Sequence, residues 1–292
     1  MNFKHRLWTD TETRSANDIK RGAYVYGEDS QPLLWLYALD EDPVKVWSPL
    51  EGQAFPRDLH EYLAEPTVEI MFHNKGFDRT QMRAWGLESR YPLDPMRFTC
   101  TMQIARTAGM PGGLDGWCQA VGVPEAYTKK DGNALIRFFC IPNKKTGRYN
   151  EPKDWPEQWA KFTEYGVYDV VAMREAYKRT PVTWSETERV LSSYTDLMND
   201  RGVRLDVELI DAAIAQAATF KARYRAHAKD LTADEGFNIV SQKAVLEYLK
   251  TYGVYLPDAR AATLETFLES PDAEKVPTHL CQLLATRLKV NK

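Results

Sequence analysis

The chain has 292 residues, a length typical of one large domain or two ordinary domains. Hydrophobic residues make up 43% and charged residues 27%, which allows a sizeable core and excludes global disorder. The net charge is −3, and residues 1–182 hold 25 acidic and 24 basic side chains. This balance excludes a protein that coats duplex nucleic acid through many phosphate contacts, but it allows an enzyme that grips a strand end locally.

No apolar run approaches the ~20 residues of a membrane span, and no signal-peptide segment follows the first residues. The cysteines Cys100, Cys118, Cys140 and Cys281 lack the spacing of a metal clip, and the histidines form no H-x-x-x-H pair. We therefore expect reduced cysteines, no zinc and a cytoplasmic protein (in the host cell cytoplasm if a phage encodes it).

Alternating strands and helices are predicted for residues 1–182. The first strand is predicted at LWTDTE (residues 7–12), where apolar and acidic side chains alternate. Further β-rich runs cover residues 22–26, 33–39, 44–47 and 68–72. Helices are predicted over residues 76–85, 101–108, 114–121 and 133–139, and from 154 to about 178, where Asp154 and Glu157 have capping-box spacing. This order of elements indicates an α/β fold.

The composition changes after Pro181, and residues 183–292 are predicted to be all-helical. One helix covers residues 184–199, and an Ala-rich helix follows the capping residue Asp206. Ser241 is expected to cap the next helix, and Thr263 and Thr278 each to begin another. We therefore place a domain boundary at residue 182.

Asp10 and Glu12 lie two residues apart on the first predicted strand, so both side chains point to one face. Like charges side by side on a strand are destabilising unless something cationic lies between them. Hard carboxylate oxygens suit Mg²⁺ or Mn²⁺. Taken alone, the pair also fits an acidic edge that faces solvent.

Asp78 lies in the sequence HNKGFD (residues 73–78), where a predicted strand gives way to a helix. Functional groups cluster at such junctions in α/β sheets. An acid in the first turn of a helix can equally serve the helix dipole.

Tyr165 and Asp169 lie four residues apart in the long helix predicted before Pro181. This spacing puts them on one helical face, where both can reach the same point. A surface Tyr–Asp pair would show the same spacing.

The three boxes D-x-E, N-x-x-F-D and Y-x-x-x-D occur in an order that resembles the DEDDy class of DnaQ-like 3′–5′ exonucleases. Asp10 and Asp78 are 68 residues apart, and Asp78 and Asp169 are 91 residues apart, which suits such a domain. The match covers about residues 4–180. The resemblance implies an RNase H-like mixed β-sheet flanked by helices, and two divalent metal ions, Mg²⁺ or Mn²⁺.

Further segments resemble phage-type family A DNA polymerases, namely GMPGGL (109–114), KDGNALI (130–136), MNDRGVRLD (198–206) and FNIVSQ (237–242). The resemblance implies an exonuclease domain over residues 1–182 and a truncated helical start of a polymerase region over residues 183–292. The sequence has no H-D-E box and no K-x-x-x-N-x-x-x-Y-G helix. We therefore do not expect this chain to add nucleotides. Cys100 occupies a position where the family often has an aspartate. We expect that aspartate not to be a metal ligand.

The resemblance also implies a role for each site residue. Asp10, Glu12 and Asp169 would hold one ion, and the second would be held mainly by Asp10, with Asp78 reaching it directly or through water. Tyr165 would orient the attacking water, because a tyrosine with a pKa near ~10 is a poor base at neutral pH. The implied activity is proofreading, in which nucleotides are removed from single-stranded or mismatched DNA 3′ ends by two-metal phosphodiester hydrolysis.

Substrate contacts are expected from residues beside these boxes. Asn74 would contact the terminal nucleotide, Phe77 would form part of the site wall, and Thr11 and Thr13 would offer backbone donors. Candidate phosphate contacts, each of which could equally be a solvated surface charge, are Lys75, Arg79, Lys129, Lys130 and Arg137, with Lys144, Lys145 and Arg148 in a polar loop.

Two alternatives to a DNA exonuclease stay open. One is a 3′–5′ exoribonuclease of the same superfamily, because the metal chemistry does not read the sugar. The other is a non-catalytic DNA-binding polymerase fragment. The expected partners are a single-stranded DNA 3′ end and a separate or missing polymerase palm and fingers region. We expect a monomer with no membrane partner.

Overall fold

A computed structural model describes residues 2–127, 132–143, 145–182 and 184–290. The candidate phosphate contacts Lys129, Lys130 and Lys144 lie outside the described residues. Among the described residues, no helix combines the length and the apolar character that a membrane crossing needs.

One mixed sheet forms the centre of the first part of the chain, and its described strands are β1 (His5–Arg14), β2 (Gln31–Leu39), β3 (Lys45–Trp47), β4 (Val68–Phe72) and β5 (Phe98–Cys100). The strand order is β3-β2-β1-β4-β5. β2 runs antiparallel to β1 and β3, whereas β4 is parallel to both β1 and β5. Helices flank this sheet, so the expected α/β, RNase H-like fold class is confirmed.

The helices of the first part are α1 (Ala23–Gly27), α2 (Arg57–Ala64), α3 (Lys75–Ala84), α4 (Thr101–Thr107), α5 (Leu114–Ala120), α6 (Gly132–Cys140), α7 (Pro156–Arg179) and α8 (Glu186–Arg201). Two apolar clusters cover the two faces of the sheet. Trp8 lies in the cluster that includes Phe162 and Met173 of α7. Its neighbour Leu7 lies in the other cluster, with Leu59 of α2. This division follows from the period-two alternation of β1.

The strand predicted over residues 22–26 is wrong, because this segment forms the short helix α1. The Tyr26 amide donates to the Gly22 carbonyl at 3.0 Å, and the Gln81 side chain donates to the Ala23 carbonyl at 3.2 Å. A Cβ added to Gly27 would lie 3.2 Å from the Ala84 side chain, so α1 lies close against α3. Tertiary packing has overridden the β-rich composition of this segment.

The capping box predicted at Asp154 is also absent. α7 begins after Trp155, and no side chain caps its N-terminus.

The short elements α2 and β5 were not predicted. α2 buries only Leu59 and Leu63, which are four residues apart, and so short a pattern is hard to recognise.

The compact units divide after Gly202 and not at residue 182. α8, which the sequence assigned to the second region, therefore belongs to the first unit. Its Asp196 carboxylate accepts from the Lys75 ammonium at 2.7 Å, and its Arg189 guanidinium lies 2.6 Å from Glu69. Ion pairs between residues more than a hundred positions apart are not visible in a sequence pattern.

The second unit covers residues 203–292, and its helices are α9 (Val207–Thr232), α10 (Gln242–Lys250), α11 (Ala261–Leu268) and α12 (Thr278–Val290). The predicted caps are confirmed, since Asp206 accepts from the Leu209 amide at 3.0 Å and Ser241 from the Ala244 amide at 3.2 Å. No strand occurs between residues 203 and 290, all of which are described, so the all-helical prediction holds for that range.

Candidate active site

Three carboxylates from two elements meet on one face of the sheet. Asp10 and Glu12 lie on β1 and Asp169 lies on α7, and each offers an oxygen within 4.8 Å of the others. They line a cavity of about 230 Å³. The period of two in β1 and the packing of α7 on that face explain why residues so distant in sequence converge.

Three carboxylates at this separation repel one another in the absence of a cation. Their oxygens are hard ligands of the kind that Mg²⁺ and Mn²⁺ prefer. Within the described residues, this is the one group of acidic, histidine or cysteine side chains found with such geometry. The donor set fits a divalent metal ion held by Asp10, Glu12 and Asp169.

Tyr165 lines the same cavity, one helical turn before Asp169. Its side chain is 7% exposed, and its ring is nearly parallel to that of Phe162 at 6.3 Å between centroids. The structure therefore brings Tyr165 together with three of the four carboxylates that the sequence grouped, Asp10, Glu12 and Asp169.

Asp78 is placed differently from the other three carboxylates. It is not a member of the group of three, and it is 3% exposed on α3. The Thr11 hydroxyl donates to the Asp78 carboxyl group at 2.6 Å. Thr11 lies between Asp10 and Glu12, and its side chain points to the opposite face of β1. Asp78 is thus linked to the acidic strand through Thr11.

Burial raises the pKa of Asp78 from an ordinary 3.8 to about 7. In the unfolded chain the Asp78 carboxyl group loses its proton near pH 4, whereas in the folded chain it keeps the proton until about pH 7. The folded state therefore loses stability relative to the unfolded state as the pH rises from 4 to 7. Above pH 7 both states are ionised, and the penalty is constant.

Asp78→Asn should remove this pH-dependent penalty, because an asparagine oxygen can still accept from Thr11. In EDTA at pH 8 we expect the variant to be roughly 2–4 kcal/mol more stable than the wild type, and the difference to vanish near pH 4. Urea unfolding of both proteins at pH 4, 6 and 8 measures it. A difference that stays the same at all three pH values would contradict a buried, protonated Asp78.

A second and larger cavity, of about 710 Å³, shares Thr11, Glu12 and Ile136 with the first. Phe77 and Thr13 line it as well. We call this cavity the groove. Apart from these five residues, its lining is Ser15, Ala16, Asn17, Asp18, Ile19, Lys20, Tyr26, Cys140, Ile141, Pro142, Asn143 and Gly147.

The predicted substrate contacts fall into two sets. Thr11, Thr13 and Phe77 line the groove, whereas Asn74 lines neither cavity. Asn74 is exposed, with a left-handed backbone at the start of α3. The Thr13 hydroxyl lies 3.0 Å from the Tyr26 hydroxyl, so its side chain is held inside the protein.

Two of the candidate phosphate contacts are buried instead. Lys75 is 2% exposed and pairs with Asp196, and Arg79 is 4% exposed and pairs with Asp200 of α8. Neither cation lines the groove. Among the described residues that line the groove, Lys20, which the sequence analysis did not single out, is the cationic one.

His73 also lines the carboxylate cavity and was not predicted as a site residue. Its Nε2 donates to the Gly112 carbonyl at 3.0 Å, and its Nδ1 lies 3.0 Å from the Thr101 hydroxyl. The ring stacks on Trp117 at 5.9 Å between centroids. These contacts give His73 a role in building the wall of the cavity.

Gly132 is the other site residue that sequence reasoning missed. It begins α6 and is buried, and a Cβ added to it would lie 1.7 Å from Cε2 and 2.2 Å from Cζ of Tyr165. The Tyr165 ring therefore occupies the space that any side chain at residue 132 would need. The glycine is visible within the KDGNALI segment, but its partner is visible only in three dimensions.

Comparisons with known proteins were made for the whole chain. No family model matches it. The chain is 34% identical over 279 residues to a protein named DNA polymerase from Bacillus phage SP02, covering 92% of this chain and 42% of that protein. The chain thus spans less than half the length of this relative.

A solved structure described as the apo form of the nuclease was also found. It is 16% identical to this chain, with a TM-score of 0.35, and the alignment covers 67% of this chain and 81% of that one. Over most of its length, the chain is similar to less than half of a phage protein named DNA polymerase.

Proposed function

We propose that this protein is a metal-dependent 3′–5′ exonuclease that removes nucleotides from single-stranded or mismatched DNA 3′ ends, as a proofreading domain does. One observation carries the proposal: Asp10, Glu12 and Asp169 converge within 4.8 Å in a cavity that Tyr165 also lines. The similarity to a phage DNA polymerase supports DNA as the substrate.

Asp10, Glu12 and Asp169 would hold the divalent metal, which lowers the pKa of a bound water and neutralises charge on the phosphate. Glu12 and Tyr165, which both line the cavity, orient the attacking water. Tyr165 acts here as a hydrogen-bonding group, since a phenol is a poor base at neutral pH. We further propose that Asp78 fixes β1 through Thr11 and so sets the spacing of Asp10 and Glu12.

The substrate strand binds in the groove. Apolar side chains such as Phe77, Ile136 and Ile141 can pack against splayed bases, and Lys20 can pair with a phosphate. The groove shares Glu12 with the carboxylate cavity, so a strand lying in it would present its end to the acidic residues. An end already unpaired enters at lower cost than a paired one, because no base pairs have to open.

A time course on a 5′-labelled single-stranded DNA oligonucleotide in Mg²⁺, Mn²⁺ or EDTA tests the proposal. We expect a ladder that shortens from the 3′ end in either metal and no cleavage in EDTA. Faster cleavage of a matched RNA would make the protein an exoribonuclease. Strand binding without cleavage in either metal would leave a DNA-binding fragment and overturn the proposed activity.

Gly132→Ala should slow cleavage on the order of 10²-fold, because the new methyl group displaces the Tyr165 ring and an ångström-scale misplacement is enough for such a loss. In a Tyr165→Ala background the same substitution should have little further effect, since the ring that it displaces is gone. Single-turnover cleavage rates of the two single variants and the double variant measure this dependence.

Gly113→Ala is the matched control, because its added Cβ would have no atom within 4 Å and its φ is an ordinary −80°. It should cleave at the wild-type rate. If Gly132→Ala slows the Tyr165→Ala protein by the same factor as the wild type, Gly132 does not act through the tyrosine.

A further inference from the structure

A third cavity, of about 820 Å³, lies away from the carboxylates in the first unit. Trp35 lines it and is the cross-strand partner of Thr11, so the cavity lies on the sheet face opposite to Asp10 and Glu12. It shares no lining residue with the carboxylate cavity or with the groove. We call it the aromatic cavity, and its lining is Pro32, Trp35, Trp47, Phe55, Arg57, His60, Trp85, Leu87, Arg90 and Tyr91.

Aromatic rings make up half of the aromatic cavity's lining. The three indole N–H groups are already used inside the protein: that of Trp35 donates to the Thr9 hydroxyl, that of Trp85 to the Ser30 carbonyl and that of Trp47 to the Gln53 carbonyl. The tryptophans therefore offer the cavity mainly carbon surface, which suits a flat apolar ring.

The other notable property of this cavity is its charge. Arg57, His60 and Arg90 line it, and none of the described lining residues is acidic, in a chain whose net charge is −3. All three basic residues are exposed. Arg57 pairs with Glu61 at 2.9 Å, but this pair is open to solvent and a bound anion can compete for the guanidinium. The cavity thus combines an aromatic floor with a cationic rim.

We propose that the aromatic cavity binds a nucleotide, with the base against the rings of Trp47 and Trp85 and the phosphate at Arg57 and Arg90. Aromatic platforms beside positive charge are how proteins hold unpaired bases without reading their sequence, and arginine pairs well with phosphate. The volume falls in the range of small-ligand sites. The same chemistry recognises a free nucleotide and a nucleotide within a single strand.

The test uses the full chain in EDTA, so that no strand is cut and the outcome does not depend on exonuclease activity. Calorimetric titration with dAMP should show binding that is at least tenfold weaker in Arg90→Glu and in Trp47→Ala. Arg90 is exposed, so Arg90→Glu is expected to fold even if Trp47→Ala does not. Titration with a twelve-residue deoxyadenosine strand, with dAMP as competitor, distinguishes the strand from the free nucleotide as the source.

Three controls separate this site from the groove and from the surface. Tyr255→Ala and Arg201→Ala change exposed residues outside both cavities, so both should bind dAMP as the wild type does, whereas Phe77→Ala changes the groove and should keep the part of dAMP binding that Arg90→Glu removes. Loss of dAMP binding in Phe77→Ala but not in Arg90→Glu would place the nucleotide in the groove and overturn the proposal. Equal affinity for deoxyribose 5-phosphate would show that the rings hold no base, and would also overturn it.

Discussion

Asp10→Ala or Asp169→Ala should abolish cleavage, with a loss of roughly 10³-fold or more, while leaving the fold intact. Each variant removes one of the three oxygen donors that converge within 4.8 Å. A bound metal ion contributes several kcal/mol to stabilising a hydrolytic transition state, and each ~1.4 kcal/mol corresponds to a factor of ten in rate. The rate of 3′ shortening of a labelled single strand in Mg²⁺ measures the loss.

Both alanine variants should stay folded in EDTA, because Asp10 and Asp169 line a cavity and belong to neither apolar cluster of the sheet. This result would separate a functional loss from unfolding, and thermal unfolding followed by circular dichroism measures it. Asp211→Ala, which changes an exposed acid on α9, is the control and should keep the wild-type rate. A double Asp10→Ala, Asp169→Ala variant that still cleaves at that rate would show that another site does the chemistry.

Local periodicity explains why much of the candidate site could be predicted from the sequence. Asp10 and Glu12 share a face because a strand repeats every two residues, and Tyr165 and Asp169 share one because they are four apart on a helix. Periodicity accounts for each pair separately. That the pair on β1 and the pair on α7 belong to one site was expected only from the resemblance to the exonuclease class.

Side-chain partners across the fold could not be predicted in this way. Asp78 was expected to reach a metal ion directly or through water, and its hydrogen bond from Thr11 was not anticipated. Gly132 was noted as a motif residue, but the need for a glycine there comes from the ring of Tyr165, which leaves no room for a side chain. Such contacts depend on which elements pack together and how deeply each side chain is buried. Neither property produces a periodic pattern in the sequence.

The domain boundary shows the same limit at a larger scale. The change of composition after Pro181 separates a mixed region from a helical one, and this much is correct. It does not show where α8 packs. The helix places Asp196 and Asp200 against Lys75 and Arg79 of α3, so it is part of the first unit in spite of its helical neighbours.

A shortened chain that ends at residue 182 should therefore be far less stable than one that ends at residue 202. Without α8, Lys75, which is 2% exposed, loses its ion-pair partner Asp196, and Glu69, which is 3% exposed, loses Arg189 and keeps Arg6. Breaking a buried ion pair costs about 3–5 kcal/mol, a large part of the stability of an ordinary domain. Urea unfolding of the two shortened chains measures the difference, and equal midpoints would contradict the role of α8.

Asp196→Ala in the full chain tests the same packing without a truncation. It leaves the Lys75 ammonium, whose pKa burial already lowers, without its 2.7 Å partner, and we expect a loss of about 3 kcal/mol or more. Glu61→Ala breaks the solvent-exposed pair with Arg57 and should cost less than about 1 kcal/mol.

The same substitution of Asp196 should also affect cleavage. Because Lys75 and Asp78 lie in the same helix, a loosened α3 should weaken the hydrogen bond between Asp78 and Thr11. The Asp196→Ala protein should accordingly cleave more slowly at temperatures where it remains folded, whereas Glu61→Ala should not.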